Sequence, residues 1–129
     1  NNDDALVANA APGIFCRQAV RVMGVMIIPH GLTTGNASNF VTHSLQSVSN
    51  SGVTANTIAT RKTHPVASGG PGNLANGQFY TLTVDAANAR VAANTFLGTI
   101  VNSTSNGIAA PKATWAIDVE EEAPDGYAV

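Results

Sequence analysis

This sequence contains very few charged side chains. Its 129 residues include six Lys or Arg, eight Asp or Glu and three His, so that charged residues make up only 11% of the chain. Enzymes usually cluster titratable groups so that their pKa values can be adjusted against one another. Since this chain has few such groups to cluster, its composition argues against catalysis and favours a protein that presents surfaces.

The few basic residues are also scattered along the chain. Only Arg61 and Lys62 are adjacent, and the formal net charge is −2 at pH 7. Proteins that bind nucleic acid neutralise several phosphates with clustered Lys and Arg side chains. We therefore expect no nucleic-acid partner.

Cysteine and long apolar runs are equally scarce. Cys16 is the single cysteine, which excludes a small domain held together by its own disulfides. Because a free cysteine in an apolar stretch usually packs as a small hydrophobe, we expect a buried thiol at Cys16. The longest apolar run, residues 22–28, is far shorter than the ~20 residues that span a bilayer. It predicts a buried strand and no membrane partner.

The remaining composition predicts one domain with a thin core. Hydrophobic residues make up 44% of the chain but aromatic residues only 5%, so the core should consist of Val, Ile, Leu and Met. Residues 1–13 are expected to form an extended N-terminal arm, because a polar start and a small, weakly apolar stretch precede the chain-breaking pair Pro12–Gly13. Residues 14–129 are expected to form a single β domain.

Alternation of apolar and polar residues predicts about six strands. They cover residues 17–28, 40–48, 53–62, 78–85, 95–104 and 114–121. In the last of these, Trp115, Ile117 and Val119 should face the core. The Ala-rich stretch 85–94 predicts one short helix that Asp85 would cap. The pattern as a whole predicts a mainly β fold, either a single antiparallel β-sandwich or a distorted barrel.

No motif in the chain indicates a catalytic, metal or cofactor site. The three histidines are far apart in the sequence and lack the spacing of metal ligands: they are His30, His43 and His64. His43 is expected on the polar face of its strand. The alternate acidic residues Asp118, Glu120 and Glu122 would share a strand face, but a calcium site usually also needs loop carbonyls.

Residues 64–77 form a stretch that is too rich in Gly, Pro and Asn for regular structure. Unstructured loops of this length are uncommon and are often functional. The part 67–72 is similar to a phosphate-binding loop, but it lacks the Gly-Lys-Ser/Thr ending, and Pro71 has no amide donor. We expect this loop either to be mobile or to be ordered by contact with a partner.

The arm and this loop are the predicted interaction surfaces. The acidic C-terminal segment is expected either to be a solvated, frayed strand end or to pack on a neighbouring subunit. The residues expected to contact partners are Leu6, Val7, Pro12, His64, Pro65, Pro71, Asn73 and Tyr127.

Taken together, these features resemble the small β-rich decoration, or cement, proteins of tailed-bacteriophage heads. The resemblance is one of general character over the whole chain, which is short, free of disulfides, rich in Ala, Thr, Asn and Gly, and has a loop-then-strand segment at 72–84. It includes no diagnostic motif and transfers no residue role. It implies a structural virion protein on the capsid exterior, without cofactor or small-molecule substrate. Its partners would be the major capsid protein and copies of itself, with a trimer favoured.

The sequence leaves three other functions open. An extracellular fibre or pilus subunit assembled by strand exchange would also use an arm and a β domain. A carbohydrate-binding module would require exposed aromatic residues, for which Trp115 is the test. An enzyme would require one of the histidines to lie beside an acidic side chain.

Overall fold

The computed structural model describes residues 12–36, 38–49, 55–63, 69–103 and 112–122. The regular elements in these ranges are all β-strands, which confirms the mainly β class. The strands are β1 (Pro12–Cys16), β2 (Val20–Pro29), β3 (Val41–Ser49), β4 (Ala55–Lys62), β5 (Tyr80–Thr81), β6 (Thr83–Val84), β7 (Arg90–Val91), β8 (Thr95–Ser103) and β9 (Ala113–Glu121).

The strands form two antiparallel sheets in a sandwich-like arrangement. The first sheet has the strand order β1-β8-β3-β4-β6. In the second, β2 is central: β9 pairs along one of its edges, while β5 and β7 pair with opposite ends of β2. β3 and β4 pair from Val48–Ala55 to Thr42–Lys62, as the predicted hairpin requires, and their connecting residues 50–54 lie outside the described residues.

One side of the sandwich is closed by a segment that changes sheets. β5 pairs with β2, whereas β6, after Leu82, pairs with β4. At the change, the Leu82 N–H donates to the carbonyl of Val25 at 2.9 Å. The predicted single strand over 78–85 is therefore two short strands, because its two halves belong to different sheets. The predicted faces are correct, since Tyr80, Leu82 and Val84 all pack into or against the core.

The core between the sheets is aliphatic, as predicted. It is centred on Ile27 of β2 together with Leu45 and Ile58 of the first sheet, all of which are fully buried. Burial of one such side chain contributes about 1.5–3 kcal/mol, so a few residues account for much of the apolar stabilisation. Methionine does not belong to this core, contrary to expectation. Met23 and Met26 are 53% and 38% exposed, respectively.

The predicted helix over residues 85–94 is wrong. Asp85 begins a tight turn, in which its carboxylate accepts hydrogen bonds from the Ala87 N–H and the Asn88 side-chain amide, each at 3.0 Å. β7 then pairs with the start of β2, and Val91 is only 1% exposed. Pairing with β2 and burial of Val91 outweigh the intrinsic helix propensity of the alanines, since tertiary context routinely overrides propensity.

β1 was not predicted from the sequence. It begins at Pro12 and pairs antiparallel with β8, with a register shift between Pro12 and Ile14. A proline is tolerated at the first position of an edge strand, where no ladder N–H is required. Residues 1–11 lie outside the described residues, so the arm remains a prediction.

Residues 69–77, the described part of the Gly/Pro loop, are anchored to the segment that follows β2. Thr33 and Leu74 exchange two backbone hydrogen bonds of 2.8 and 2.9 Å, and both residues are fully buried. The Gly35 N–H donates to the Asn73 side-chain oxygen at 3.1 Å. This part of the loop is thus positioned by the chain's own contacts.

Gly35 lies in close contact with Thr63. A Cβ atom added there would lie 2.4 Å from the Thr63 carbonyl oxygen and 2.5 Å from the Thr63 hydroxyl oxygen. The same hydroxyl accepts from the Val41 N–H at 2.9 Å and donates to the Thr34 carbonyl at 3.2 Å. A side chain at position 35 would therefore disrupt the buried bond that holds the start of β3.

Gly35→Ala is expected to destabilise the fold by about 1–3 kcal/mol, the usual range for overpacking. Gly24→Ala is the matched control, since the nearest atom to its added Cβ is 4.0 Å away. Urea denaturation followed by tryptophan fluorescence measures both changes. Equal stability of the two variants would contradict the proposed role of the Gly35–Thr63 contact.

Candidate interaction site

β1 and β9 are edge strands on the same side of the sandwich. Among the described residues, β1 pairs only with β8, and β9 pairs only with β2. The outer edge of each strand therefore presents backbone N–H and C=O groups that can pair with an added strand. On the other side, the segment 80–84 links the two sheets, so the sandwich is open at β1 and β9.

An apolar groove of about 530 Å³ lies between these two edges. Val20 and Leu97 are buried at its base, while Ile14 of β1 and Ile117 and Val119 of β9 line its sides. Ile14 is 48% exposed and Val119 is 42% exposed. Large apolar side chains left exposed in a concave surface are typical of binding sites for ligands or partners.

The exposure of Val119 corrects one sequence-based prediction. Val119 alternates with Trp115 and Ile117, and these two do pack against the core as predicted. Val119 lies farther along β9, where it lines the open groove. β1 has only five residues and does not cover it. The expected burial of Val119 is therefore wrong, because no strand of the described first sheet packs over this end of β9.

The polar side chains of the groove are Arg17, Gln18 and Glu121, all of which are exposed. Cys16 also lines the groove but is 8% exposed, which confirms the predicted burial. This burial raises the pKa of the Cys16 thiol, and a protonated thiol is a poor nucleophile. The groove thus offers apolar contact area, with opposite charges at its rim.

Three of the eight predicted interaction residues lie within the described ranges. Pro12 begins β1, two residues before Ile14, which lines the groove. Pro71 and Asn73 are exposed, and one oxygen of each is hydrogen-bonded within the chain: the Pro71 carbonyl accepts from Arg61 at 3.1 Å, and the Asn73 side-chain oxygen accepts from the Gly35 N–H. Neither residue lines the groove. The other five lie outside the described residues: Leu6, Val7, His64, Pro65 and Tyr127.

A buried histidine is the main feature that the sequence analysis missed. His43 is 0% exposed, and neither ring nitrogen has a hydrogen-bond partner in the described part of the chain. Its ring centroid lies 6.3 Å from that of Trp115. The expected position on a polar face is wrong, because His43 shares the inner face of β3 with Val41 and Leu45, both fully buried. Val41 and Leu45 lie two residues on either side of His43, and this alternation of apolar residues could have indicated that His43 faces the core.

Arg61 is the charged neighbour of His43. It lies opposite His43 in the β3–β4 register, and its guanidinium is 4.9 Å from the Tyr80 ring centroid. Burial and the positive charge of Arg61 lower the pKa of His43 to about 4. His43 is therefore neutral at pH 7. Within the described ranges no carboxylate forms a hydrogen bond or ion pair with His43, so the pair that an acid–base mechanism requires is not formed there.

The described residues contain no group of three His, Cys, Asp or Glu side chains placed to hold a metal ion. Asp118 and Glu120 are exposed on β9, whereas Glu122 forms an ion pair with Arg90 at 2.9 Å. The described ranges contain no helix with the length and apolarity needed to cross a membrane.

No family model matches this sequence, and comparisons with curated proteins and with solved structures find no match either.

Stability is expected to fall as the pH decreases from 7.5 to 5. The pKa of His43 is lower in the folded chain than the ordinary value of 6.5, so the unfolded chain binds more protons in this range. The contribution of His43 to the free energy of unfolding is complete above pH ~7, and it is smaller by about 2 kcal/mol at pH 5. Urea denaturation at pH 7.5 and at pH 5 measures the change.

His43→Leu should remove this part of the pH dependence, because leucine does not titrate. The fold should tolerate the change, since an apolar side chain at this site loses no hydrogen bond. His30→Gln is the control, because His30 is exposed and bonds to the Thr114 hydroxyl at 2.7 Å. A pH dependence that is unchanged in His43→Leu would contradict the assignment to His43.

Proposed function

We propose that this chain is a structural virion protein that binds the outer surface of a phage capsid lattice and stabilises it, as a decoration or cement protein. The observation that carries this proposal is the apolar groove between β1 and β9, which two edge strands border. Such a groove can receive an extended segment of another chain, through backbone hydrogen bonds and apolar contact together.

The distribution of polar groups supports a binding role over a catalytic one. The buried histidine is neutral and has no acidic partner among the described residues, and the groove thiol is protonated. A cement protein needs contact area and pairing edges, and it needs no titrating group. Both requirements are met on one side of the sandwich.

The stabilising effect would follow from binding linkage. A protein that binds the assembled shell, but not the free subunits, favours assembly by about 2.7 kcal/mol per site when its free concentration is 100 times the Kd. Summed over the many equivalent sites of a lattice, this gain is large. A closed ring on a local symmetry axis, with a trimer favoured, would provide a repeated set of such contacts.

The same groove also favours the second candidate, a fibre or pilus subunit assembled by strand exchange. The two functions differ in symmetry: a decoration protein forms closed rings on a shell, whereas a fibre subunit makes a head-to-tail contact that repeats without closing. The carbohydrate-binding alternative receives no support from Trp115, which packs against the core, whereas Phe15 and Phe79 are exposed.

Electron microscopy of the particle that carries this protein is the primary test. We expect density for the chain at regular positions on the outside of a closed shell, together with a small closed oligomer in sedimentation equilibrium. A filament built from the chain would replace this proposal with the fibre alternative. A monomer that is associated with no particle would contradict both.

The groove is tested by a matched pair of variants, Val119→Asp and Thr114→Asp. Val119 lines the groove, whereas Thr114 is exposed on the opposite face of the same strand. Val119→Asp should weaken binding to shells that lack the protein by at least about tenfold, or 1.4 kcal/mol, because it places a charge in an apolar contact. Thr114→Asp should bind as the unchanged chain does, in co-sedimentation at equal protein concentration.

A further inference from the structure

We propose that the groove between β1 and β9 receives residues 5–11 of a second copy of this chain, which pair with the free edge of β9. The proposal deepens the proposed function and rests on it for the biological setting, since it states how copies are joined on the lattice. Two properties of the chain favour this occupant: the chemistry of the segment and the direction in which β1 runs along the groove.

The chemistry of the segment matches that of the groove. Residues 5–11, Ala-Leu-Val-Ala-Asn-Ala-Ala, contain no charge and no large side chain other than Leu6 and Val7. The groove has an apolar lining and is bordered by backbone groups that lack a partner strand among the described residues. Small apolar residues allow the close approach of backbones that strand addition requires. At ~3.3 Å per residue, seven residues extend over about 23 Å, which fits along the nine residues of β9.

The charges at the groove do not select an orientation for the segment. The charged residues that precede it are Asp3 and Asp4. The groove has Arg17 at one end, exposed and without an ion pair in the described part of the chain. Glu121 lies at the same end of the groove, so its negative charge opposes the attraction of the aspartates to Arg17.

The path of the chain explains why the occupant comes from another copy. The segment joins the described chain at Pro12, and β1 then runs along the groove toward Cys16 and Arg17. A chain that continued the direction of β1 before Pro12 would lead away from Cys16 and Arg17. Pro12 is itself held in register with Gly98. To enter its own groove, the chain would have to reverse before Pro12, and a turn takes at least two residues. That turn would use part of the apolar stretch, whereas a second copy can contribute all of it.

The test uses disulfide formation between two full-length copies, each with its native cysteine replaced by Cys16→Ala. One copy carries Ala8→Cys or, in a separate variant that presents the other strand face, Val7→Cys. The second copy is larger by a peptide tag and carries Val119→Cys in the groove. A matched control copy carries Thr114→Cys on the opposite face of β9. The copies are mixed, exposed to oxidised glutathione and separated by mass.

We expect mixed dimers with Val119→Cys to exceed those with Thr114→Cys by at least fivefold for one of the two arm variants. Equal amounts with both acceptors would overturn the proposal. A chain that carries both Ala8→Cys and Val119→Cys and closes only within itself, at any protein concentration, would also overturn it, because the segment would then occupy its own groove.

A second measurement does not depend on cysteine chemistry. The double variant Leu6→Asp/Val7→Asp should reduce the weight-average mass in sedimentation equilibrium to that of a monomer. The control Asn1→Asp/Asn2→Asp adds the same charge outside the apolar stretch and should leave the mass unchanged. An unchanged oligomer in the double variant would contradict the proposal.

The two proposals fail in different ways. If the chain binds shells but the arm variants form no mixed dimers, the lattice function stands and the exchange between copies is wrong. If mixed dimers form but no shell or particle carries the protein, the exchange stands and the lattice function is wrong.

Discussion

The pairing of β2 on both of its edges is the constraint on which the rest of the structure depends. β9 pairs along the whole of β2, while β5 and β7 hold the two ends of its other edge. The inner face of β2 contributes Val20, Val22, Val25 and Ile27 to the core. Because one strand both organises the second sheet and supplies much of the buried apolar surface, the position of β2 determines where the sandwich is closed and where it is open.

The closed and open sides follow from the chain's path around β2. The segment 80–84 passes from β2 to β4 and ties the sheets together on one side. The short β1 reaches only part of the way along the other side and leaves Val119 exposed. The groove therefore exists because the segment 80–84 ties the sheets together on one side, whereas the short β1 covers the other side only in part. An exposed edge next to apolar side chains is an aggregation hazard unless something covers it, and the proposed partner would cover this edge.

The buried His43 makes the stability of the sandwich depend on pH. His43 is held inside the sandwich without a partner for either ring nitrogen among the described residues, next to the Arg61 guanidinium. Such an arrangement costs stability when the imidazole is protonated, since burial and the like charge both oppose its positive form. Arg61 in turn donates to the backbone of Pro71 and lies over Tyr80, so it connects the Gly/Pro loop to the core. The pH sensitivity of the fold and the anchoring of this loop thus involve the same residue.

The sequence alone determined the fold class, the long strands and most of their inward faces, because alternation with period two is a local property that burial on one face imposes. It also predicted the buried Cys16 and the irregular Gly/Pro loop. The sequence pattern did not predict the short strands. β7 pairs over only two residues, and residues 85–94 have a helical composition that the β2 edge overrides.

Only the tertiary structure decided which edges stay open. Val119 has the same alternation as Trp115 and Ile117, and its exposure depends on the length of β1 more than a hundred residues earlier in the chain. The groove, likewise, combines residues of β1, β2, β8 and β9 that no local pattern connects. A site formed by the ends of separated strands is set by their long-range pairing, and one sequence by itself contains no direct record of that pairing.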